Sequence, residues 1–261
     1  MNGSEKAILV VSFGTSYEQT RKKTIDKIEE TIQEACPDRK VYRAWTSGMI
    51  LKKLNLRDGI HYDNVGEAMQ HMIEAGVREV VVQPTHVVNG IEYEKILSEV
   101  SKYKDQFDKI VLGQPLLTTI QDRKEAVEVL MKEFGGLTED EALVLMGHGT
   151  PHHANSIYTD LDHMFKEQGY DNVYVGTVEG SPELSDVIEL IRKRAFQKIH
   201  LAPLMFVAGE HALNDMAGQE NSWKTCFEAE GYSVECHLKG MGEYKGIREI
   251  VLRHLKETLL L

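Results

Sequence analysis

Two histidines follow apolar runs of strand length in the C-terminal half of the sequence. His148 lies in VLMGHGTPHHAN (Val144–Asn155), and His211 lies in LAPLMFVAGEHALNDMAG (Leu201–Gly218). In both segments the apolar run stops at a glycine and a histidine follows. Open α/β sheets bind their ligands beyond the carboxyl ends of the strands. The sequence therefore predicts that both imidazoles are presented at such an edge.

Two carboxylates follow predicted strands in the same way. Glu179 lies in VGTVEGSPEL, and Glu92 lies in NGIEYEK. Two imidazoles with one carboxylate favour Co²⁺, Fe²⁺, Ni²⁺ or Zn²⁺ over Ca²⁺ or Mg²⁺. Taken alone, either histidine is equally well explained as a structural or surface residue. The pair at matching strand ends favours a metal site.

Other histidines and their neighbours carry less information. His152 and His153 either orient His148 or are simply exposed, and Asp215 either fixes the imidazole of His211 or begins a helix. His86, at the end of a predicted strand, is open to a functional and a structural interpretation. We assign no role to the rest: His61, His71, His163, His200, His237 and His254.

Strand-like and helix-like segments alternate along the chain, which predicts an α/β fold with parallel sheets covered by helices. Predicted strands include Glu79–Val88, which contains a proline, and Ala142–Met146. Predicted helices include Tyr17–Ala35 and most of Ala212–Glu230. The glycine pair at Gly135–Gly136 is the best candidate for a boundary between two domains.

The second half of the sequence restarts the pattern of the first. VVSFGTS (Val10–Ser16) is similar to VLMGHGTP, and VVNGIEYE is similar to VAGEHALND. Either the chain contains an internal duplication, or both halves use the same common strand-to-helix turn. The register aligns four pairs: Gly14 with Gly149, Phe13 with His148, Gly90 with Gly209, and Glu92 with His211.

Charge and hydropathy exclude several classes of partner. The formal net charge of −11 argues against nucleic acid, which requires a basic face. Apolar runs stay far below the ~20 residues of a membrane span, so we expect no membrane association. Basic groups gather at Arg21–Lys23 and at Arg43, Lys52 and Lys53. They either bind a small polyanion or form ordinary solvated helix surface.

Cysteine usage indicates a reducing compartment. Cys36, Cys226 and Cys236 are odd in number, far apart and outside any CxxC motif. The first apolar stretch, Ala7–Phe13, leads directly into a glycine turn and lacks the features of a signal peptide. We therefore expect a cytoplasmic protein.

Five motifs, in this order and spacing, resemble the anaerobic sirohydrochlorin cobaltochelatases, which are class II chelatases that need no ATP. They are VVSFGTSY, NGIEYEK, MGHGTPHHAN, GTVEG and LAPLMFVAGEHALNDMAG, and together they span nearly the whole chain. The resemblance implies two Rossmann-like lobes, each with a small parallel sheet flanked by helices, and a tetrapyrrole cleft between them. We place the first lobe at residues 1–136 and the second, with the metal-binding histidines, at 137–243. The last helix, 244–261, is expected to pack back on the first lobe.

The resemblance also implies a set of site residues and a reaction. His148, Glu179 and His211 match the metal ligands of the family, and Glu92 matches a further acidic residue of its cleft. We expect His148 and Glu92 to be the catalytic groups. The implied reaction is insertion of Co²⁺ into sirohydrochlorin in anaerobic cobalamin biosynthesis, with the metal as substrate and no prosthetic group.

Two alternative functions remain open at this stage, and so does the oligomeric state. Nothing in the ligand set separates Co²⁺ from Fe²⁺ or Ni²⁺, so an iron chelatase that makes sirohaem is one alternative. A non-catalytic protein that binds a metal or a tetrapyrrole is another. For each of these functions the expected partners are a tetrapyrrole and a divalent metal. The sequence is also compatible with a homo-oligomer.

Overall fold

The computed structural model describes residues 5–261, so residues 1–4 of the predicted first lobe lie outside the described part. Eight strands form two sheets: β1 (Lys6–Ser12), β2 (Lys40–Trp45), β3 (Glu79–Pro84), β4 (Lys109–Leu112), β5 (Glu141–Gly147), β6 (Val173–Thr177), β7 (Lys198–Pro203) and β8 (Ser233–Cys236). Ten α-helices connect and cover them: α1 (Glu18–Lys23), α2 (Ile25–Ala35), α3 (Gly48–Asp58), α4 (Val65–Glu74), α5 (Ile91–Ser101), α6 (Ile120–Phe134), α7 (Ser156–Glu167), α8 (Leu184–Ile191), α9 (Trp223–Ala229) and α10 (Lys245–Leu259). None of the helices within residues 5–261 has the length and apolarity that a bilayer crossing requires.

Both sheets are wholly parallel and share one strand order. The first sheet runs β2-β1-β3-β4 and the second runs β6-β5-β7-β8. Parallel neighbours need crossover connections, which the intervening helices supply. The central strands β1 and β5 are buried almost throughout, as expected of strands covered on both faces. The predicted α/β fold with two Rossmann-like lobes is confirmed.

The chain divides into two compact units. The first contains the residues up to Thr118 together with Ile247–Leu261, and the second contains Thr119–Gly246. The division therefore lies before α6, whereas the glycine pair that follows this helix suggested a boundary at residue 136. Helix α6 contacts α7, which explains why it belongs to the second unit.

A turn after the central strand recurs in the two sheets. Gly14 follows β1 with φ +99°, and Gly149 follows β5 with φ +80°, both in the left-handed region that favours glycine. One backbone hydrogen bond recurs after this strand: Ser47 N–H to Phe13 O at 3.1 Å, and Glu179 N–H to His148 O at 2.8 Å. The two similar sequence segments therefore form the same local structure.

Two predicted elements are interrupted. The helix predicted at Tyr17–Ala35 is two helices, and they meet at Thr24, whose backbone is not helical. The hydroxyl of Thr24 donates to the carbonyl of Thr20 at 2.7 Å, a contact that bends helices. The strand predicted at Glu79–Val88 ends at Pro84. Proline has no backbone N–H to continue the ladder.

Candidate metal centre

Strand β5 delivers His148 to a turn that only glycine fits well. A Cβ on Gly147 would lie 2.3 Å from Cε1 of the buried Tyr158. A Cβ on Gly149 would lie 2.6 Å from the backbone nitrogen of Gly180. The imidazole is therefore held between two positions where the backbone passes very close to its neighbours.

The loop after β6 is fastened to this turn and carries Glu179. Besides the backbone bond from Glu179 to His148, the N–H of Val178 donates to the carbonyl of Gly147 at 3.1 Å. These bonds continue the parallel pairing of β5 and β6 beyond the strands. As a result, Oε2 of Glu179 lies 4.0 Å from Nδ1 of His148.

Asn155 joins the same two loops through its side chain. Its Oδ1 accepts from the N–H of Thr150 at 3.1 Å, and its Nδ2 donates to the carbonyl of Ser181 at 2.6 Å. The amide packs directly against Gly180, where a Cβ would come within 2.3 Å of Oδ1. Asn155 is thus a positioning residue that the sequence alone did not identify.

His211 lies beyond β7, immediately before a short π-helical segment, Ala212–Met216. The region predicted as mostly helix, Ala212–Glu230, consists of this π-helical segment and α9, with a break between them, and π-helical turns are frequent at functional sites. Nδ1 of His211 lies 2.7 Å from Oδ2 of Asp215, four residues on. A proton on Nδ1 donates to this carboxylate and leaves the lone pair on Nε2, the arrangement typical of metal-binding histidines.

The imidazole of His148 is oriented by the backbone. Its Nδ1 lies 2.9 Å from the carbonyl oxygen of Gly149, so an N–H on Nδ1 can donate to that oxygen. This tautomer places the lone pair of His148 on Nε2. Burial raises the pKa of Tyr158 beneath the turn, while backbone N–H groups of Gly149 and His148 oppose that shift. Tyr158 therefore supports the turn from below as a neutral phenol.

The structure brings three of the four predicted site residues together. His148, Glu179 and His211 each offer one ligand atom, and these atoms lie within 4.8 Å of one another. The two imidazole rings are 4.7 Å apart between centroids and nearly perpendicular, at 88°. The side chains of His148, Glu179 and His211 are 39%, 57% and 32% exposed, respectively, so an ion can reach them. We call these three residues the His–Glu–His site.

Glu92, the fourth predicted residue, lies in the first unit, in the first turn of α5. Its Oε1 accepts from Lys95 at 2.5 Å, while its Oε2 is buried and has no hydrogen-bond partner among residues 5–261. His86 lies near enough for the charge of Glu92 to act on its pKa. The buried Nδ1 of His86 likewise has no partner in the described part of the chain, and its Nε2 contacts Oγ1 of Thr46 at 3.2 Å.

The low pKa of His86 makes stability depend on pH. Burial lowers this pKa from 6.5 to about 4, and the carboxylate of Glu92 only partly opposes the shift. Between pH 6.5 and pH 4, His86 is therefore protonated in the unfolded chain but neutral in the folded chain. We expect a contribution of about 3 kcal/mol to the free energy of unfolding, present above pH 6.5 and lost as the pH falls towards 4.

Urea unfolding of the wild type and of His86→Gln, followed between neutral and mildly acidic pH, measures this contribution. The slope of stability against pH should be smaller in His86→Gln, whereas His163→Gln, at an exposed histidine, should keep the wild-type slope. An unchanged slope in His86→Gln would mean that other groups cause the acid sensitivity.

Two of the basic side chains that the sequence offered for binding a polyanion, Arg21 and Arg43, form ion pairs with acidic neighbours. Nε of Arg43 donates to both carboxylate oxygens of Glu29, at 2.8 and 3.0 Å. Arg21 pairs with Asp26 at 3.2 Å. Both arginines thus take part in an ion-pair network of the first unit, while the side chains of Lys23, Lys52 and Lys53 are exposed.

The sequence is similar to known proteins along nearly its whole length. The model of the family "Cobalt chelatase (CbiK)" matches residues 6–260. The sirohydrochlorin cobaltochelatase of Salmonella typhimurium is 43% identical over 256 residues, which cover 98% of this chain and 97% of that protein. The sirohydrochlorin cobaltochelatase CbiKC of Nitratidesulfovibrio vulgaris is 32% identical over 97% of this chain and 90% of its own length.

Solved structures support the fold. SirB from Bacillus subtilis, determined with Fe³⁺, superimposes with a TM-score of 0.65 at 15% identity, over 97% of this chain and 95% of that one. CbiX, described as the terminal enzyme of sirohaem biosynthesis in denitrifying bacteria, gives a TM-score of 0.56 at 13% identity, over 97% and 99%. At such low identity these likenesses concern the fold alone. The family match and the two curated relatives extend over nearly the whole sequence, and the chain therefore belongs to the cobalt chelatase (CbiK) family.

Proposed function

We propose that the protein inserts Co²⁺ into sirohydrochlorin without ATP and that His148, Glu179 and His211 hold the incoming ion. The observation that carries the proposal is the close grouping of the three ligand atoms, within 4.8 Å of one another. Both curated relatives are named for this reaction, and they match nearly the full chain. Co²⁺ is then a substrate of the reaction.

The ligand set suits delivery of a metal better than storage. Three protein ligands leave coordination positions open, whereas a closed set of four is typical of structural sites. Neutral imidazoles bind borderline metals, and the hydrogen bonds to Gly149 and Asp215 present one nitrogen of each ring for this purpose. An ion held this way is bound and oriented but remains able to leave.

Insertion also requires base catalysis. One divalent ion replaces two pyrrole N–H protons of the macrocycle, so two protons must be accepted as the metal enters. Neutral histidine is the side chain best suited to accept protons near neutral pH. We assign this role to Glu92, whose Oε2 has no hydrogen-bond partner among residues 5–261, and to His148, whose Nε2 can accept a proton once the ion has passed from it to the macrocycle.

We further infer a division of labour between the two units. The second unit carries all three residues of the His–Glu–His site, and the first contributes Glu92 and exposed lysines for the carboxylates of the tetrapyrrole. We also infer a cytoplasmic location, which the three free cysteines support because a reducing compartment keeps thiols unpaired.

Catalytic turnover is the test of the proposed function. Purified protein at a substoichiometric concentration is mixed anaerobically with sirohydrochlorin and Co²⁺, and the visible spectrum of the tetrapyrrole is followed. We expect complete conversion of a large excess of substrate without ATP. A spectral change that stops at one equivalent per chain would instead indicate a binding protein. Parallel reactions with Fe²⁺ and Ni²⁺ compare kcat/KM among the metals.

A further inference from the structure

A second group of metal-ligating side chains lies on one face of the second sheet. His200 on β7 pairs in register with Glu235 on β8, and His237 follows two residues later. Because side chains alternate along a strand, all three lie on the same face. Nδ1 of His200 is 2.9 Å from Nε2 of His237 and 3.8 Å from Oε2 of Glu235. We call these three residues the sheet-face cluster.

His200 is buried in an unusual way for a structural histidine. It is only 8% exposed, and its Nε2 has no hydrogen-bond partner in the described chain. This nitrogen lies 3.5 Å from Oε1 of Glu141, slightly too far for a good hydrogen bond. A proton on Nε2 faces that carboxylate favourably, which leaves the lone pair of Nδ1 to accept a hydrogen bond from Nε2–H of His237.

We propose that His200, Glu235 and His237 bind a second divalent transition-metal ion, of the Co²⁺, Ni²⁺ or Zn²⁺ class. Nitrogen ligands lie about 2.0–2.1 Å from such an ion, so two of them on one ion are about 3 Å apart. The nitrogens of His200 and His237 share a hydrogen bond at 2.9 Å, and a metal ion that displaces its proton leaves them at a similar separation. The side chain of Glu235 is 49% exposed and can move the short distance that ligation needs.

The surroundings support each ligand of the sheet-face cluster. Glu141 faces the remote nitrogen of His200, as carboxylates do behind metal-binding histidines. The ring of Phe134 packs edge-on against His237, with 5.2 Å between centroids, and so limits its rotation. Burial lowers the pKa of His237, although the charge of Glu235 opposes this.

Lys198 competes with a metal for this site. Its Nζ donates to Oε2 of Glu235 at 2.6 Å and lies 3.7 Å from Glu141. That hydrogen bond lowers the pKa of Glu235 and keeps it ionised. An incoming cation must displace the ammonium group from Glu235, so removal of the lysine should strengthen metal binding.

The test isolates the second site by removing the first. His148→Ala/His211→Ala is dialysed against Co²⁺ alone and, separately, Zn²⁺ alone, and bound metal is counted per chain. We expect two ions on the wild type and one on this double variant. Adding His237→Ala or Glu235→Gln to the double variant should lower its affinity for the remaining ion at least tenfold. Both changes lie at partly exposed positions, with side chains 27% and 49% exposed, so the fold should survive, which circular dichroism checks.

Two further variants separate a site from nonspecific binding. His163→Ala, at an exposed histidine of the same unit, should leave the remaining ion in place. Lys198→Met should strengthen binding about fivefold, since a nearby positive charge is removed. Loss of all metal from His148→Ala/His211→Ala, or metal retained unchanged after His237→Ala and Glu235→Gln, would overturn the proposal. If the wild type and the double variant each bound one ion, the sheet-face cluster would be supported as a metal site. The same result would contradict metal binding at the His–Glu–His site.

Discussion

Replacing His148 or His211 by Ala should lower the rate of Co²⁺ insertion by on the order of 10²-fold or more. Each change removes a ligand of the His–Glu–His site, and at His148 it also removes a proposed base. Both side chains are substantially exposed, so truncation leaves no large cavity in the core. Steady-state insertion assays give the rate, and thermal unfolding monitors the fold.

The matched control is His163→Ala, which removes an exposed imidazole from the same unit and should keep full activity. If both active-site variants turned over at nearly the wild-type rate, the metal would have to bind elsewhere. The sheet-face cluster would then be the first alternative to examine, because it offers the same types of ligand.

Glu179→Gln and Glu92→Gln should affect different steps. Glu179 belongs to the His–Glu–His site, so its amide variant should bind Co²⁺ at least about tenfold more weakly in the absence of the tetrapyrrole. Glu92 lies in the first unit, where its Oε2 is buried and has no hydrogen-bond partner among residues 5–261. Glu92→Gln should bind free Co²⁺ normally and insert it on the order of 10²-fold more slowly.

Equilibrium dialysis of the free protein measures the first effect, and insertion at saturating Co²⁺ measures the second. Glu220→Gln and Glu94→Gln, at exposed positions of the same two units, should behave as wild type in both assays. The opposite pattern, with weak metal binding in Glu92→Gln and slow insertion alone in Glu179→Gln, would show that the two roles are exchanged.

The fold was predictable because its signals are local and repeated. Apolar runs ending in glycine identified the central strands, and parallel sheets follow from alternation with helices. Interruptions within elements were less visible. The break at Thr24 depends on one hydroxyl that bonds to the preceding turn. The π-helical segment after His211 accompanies the Asp215 contact, which helix periodicity does not encode.

The ligands of the His–Glu–His site were predictable for a related reason. Each lies in a loop beyond the carboxyl end of a parallel strand, so the edge of the sheet determines where it is placed, although His211 is some way from β7, which ends at Pro203. The supporting residues were not. Asn155 and Tyr158 act through backbone atoms of other loops, and their types are common in helices and loops of every kind. His200 and His237 are 37 positions apart, and only the register of β7 and β8 brings their nitrogens together.

The turn that recurs after β1 and β5 has the same backbone structure in both units but carries different side chains. In the second unit it displays His148 and Glu179, whereas in the first unit the equivalent positions are Phe13 and Ser47. The left-handed glycine and the hydrogen bond between the loops are the same in both. This backbone is thus stable without ligating side chains at its tip. Gaining or losing the two ligands that this turn carries therefore takes two side-chain replacements, with the main chain left as it is.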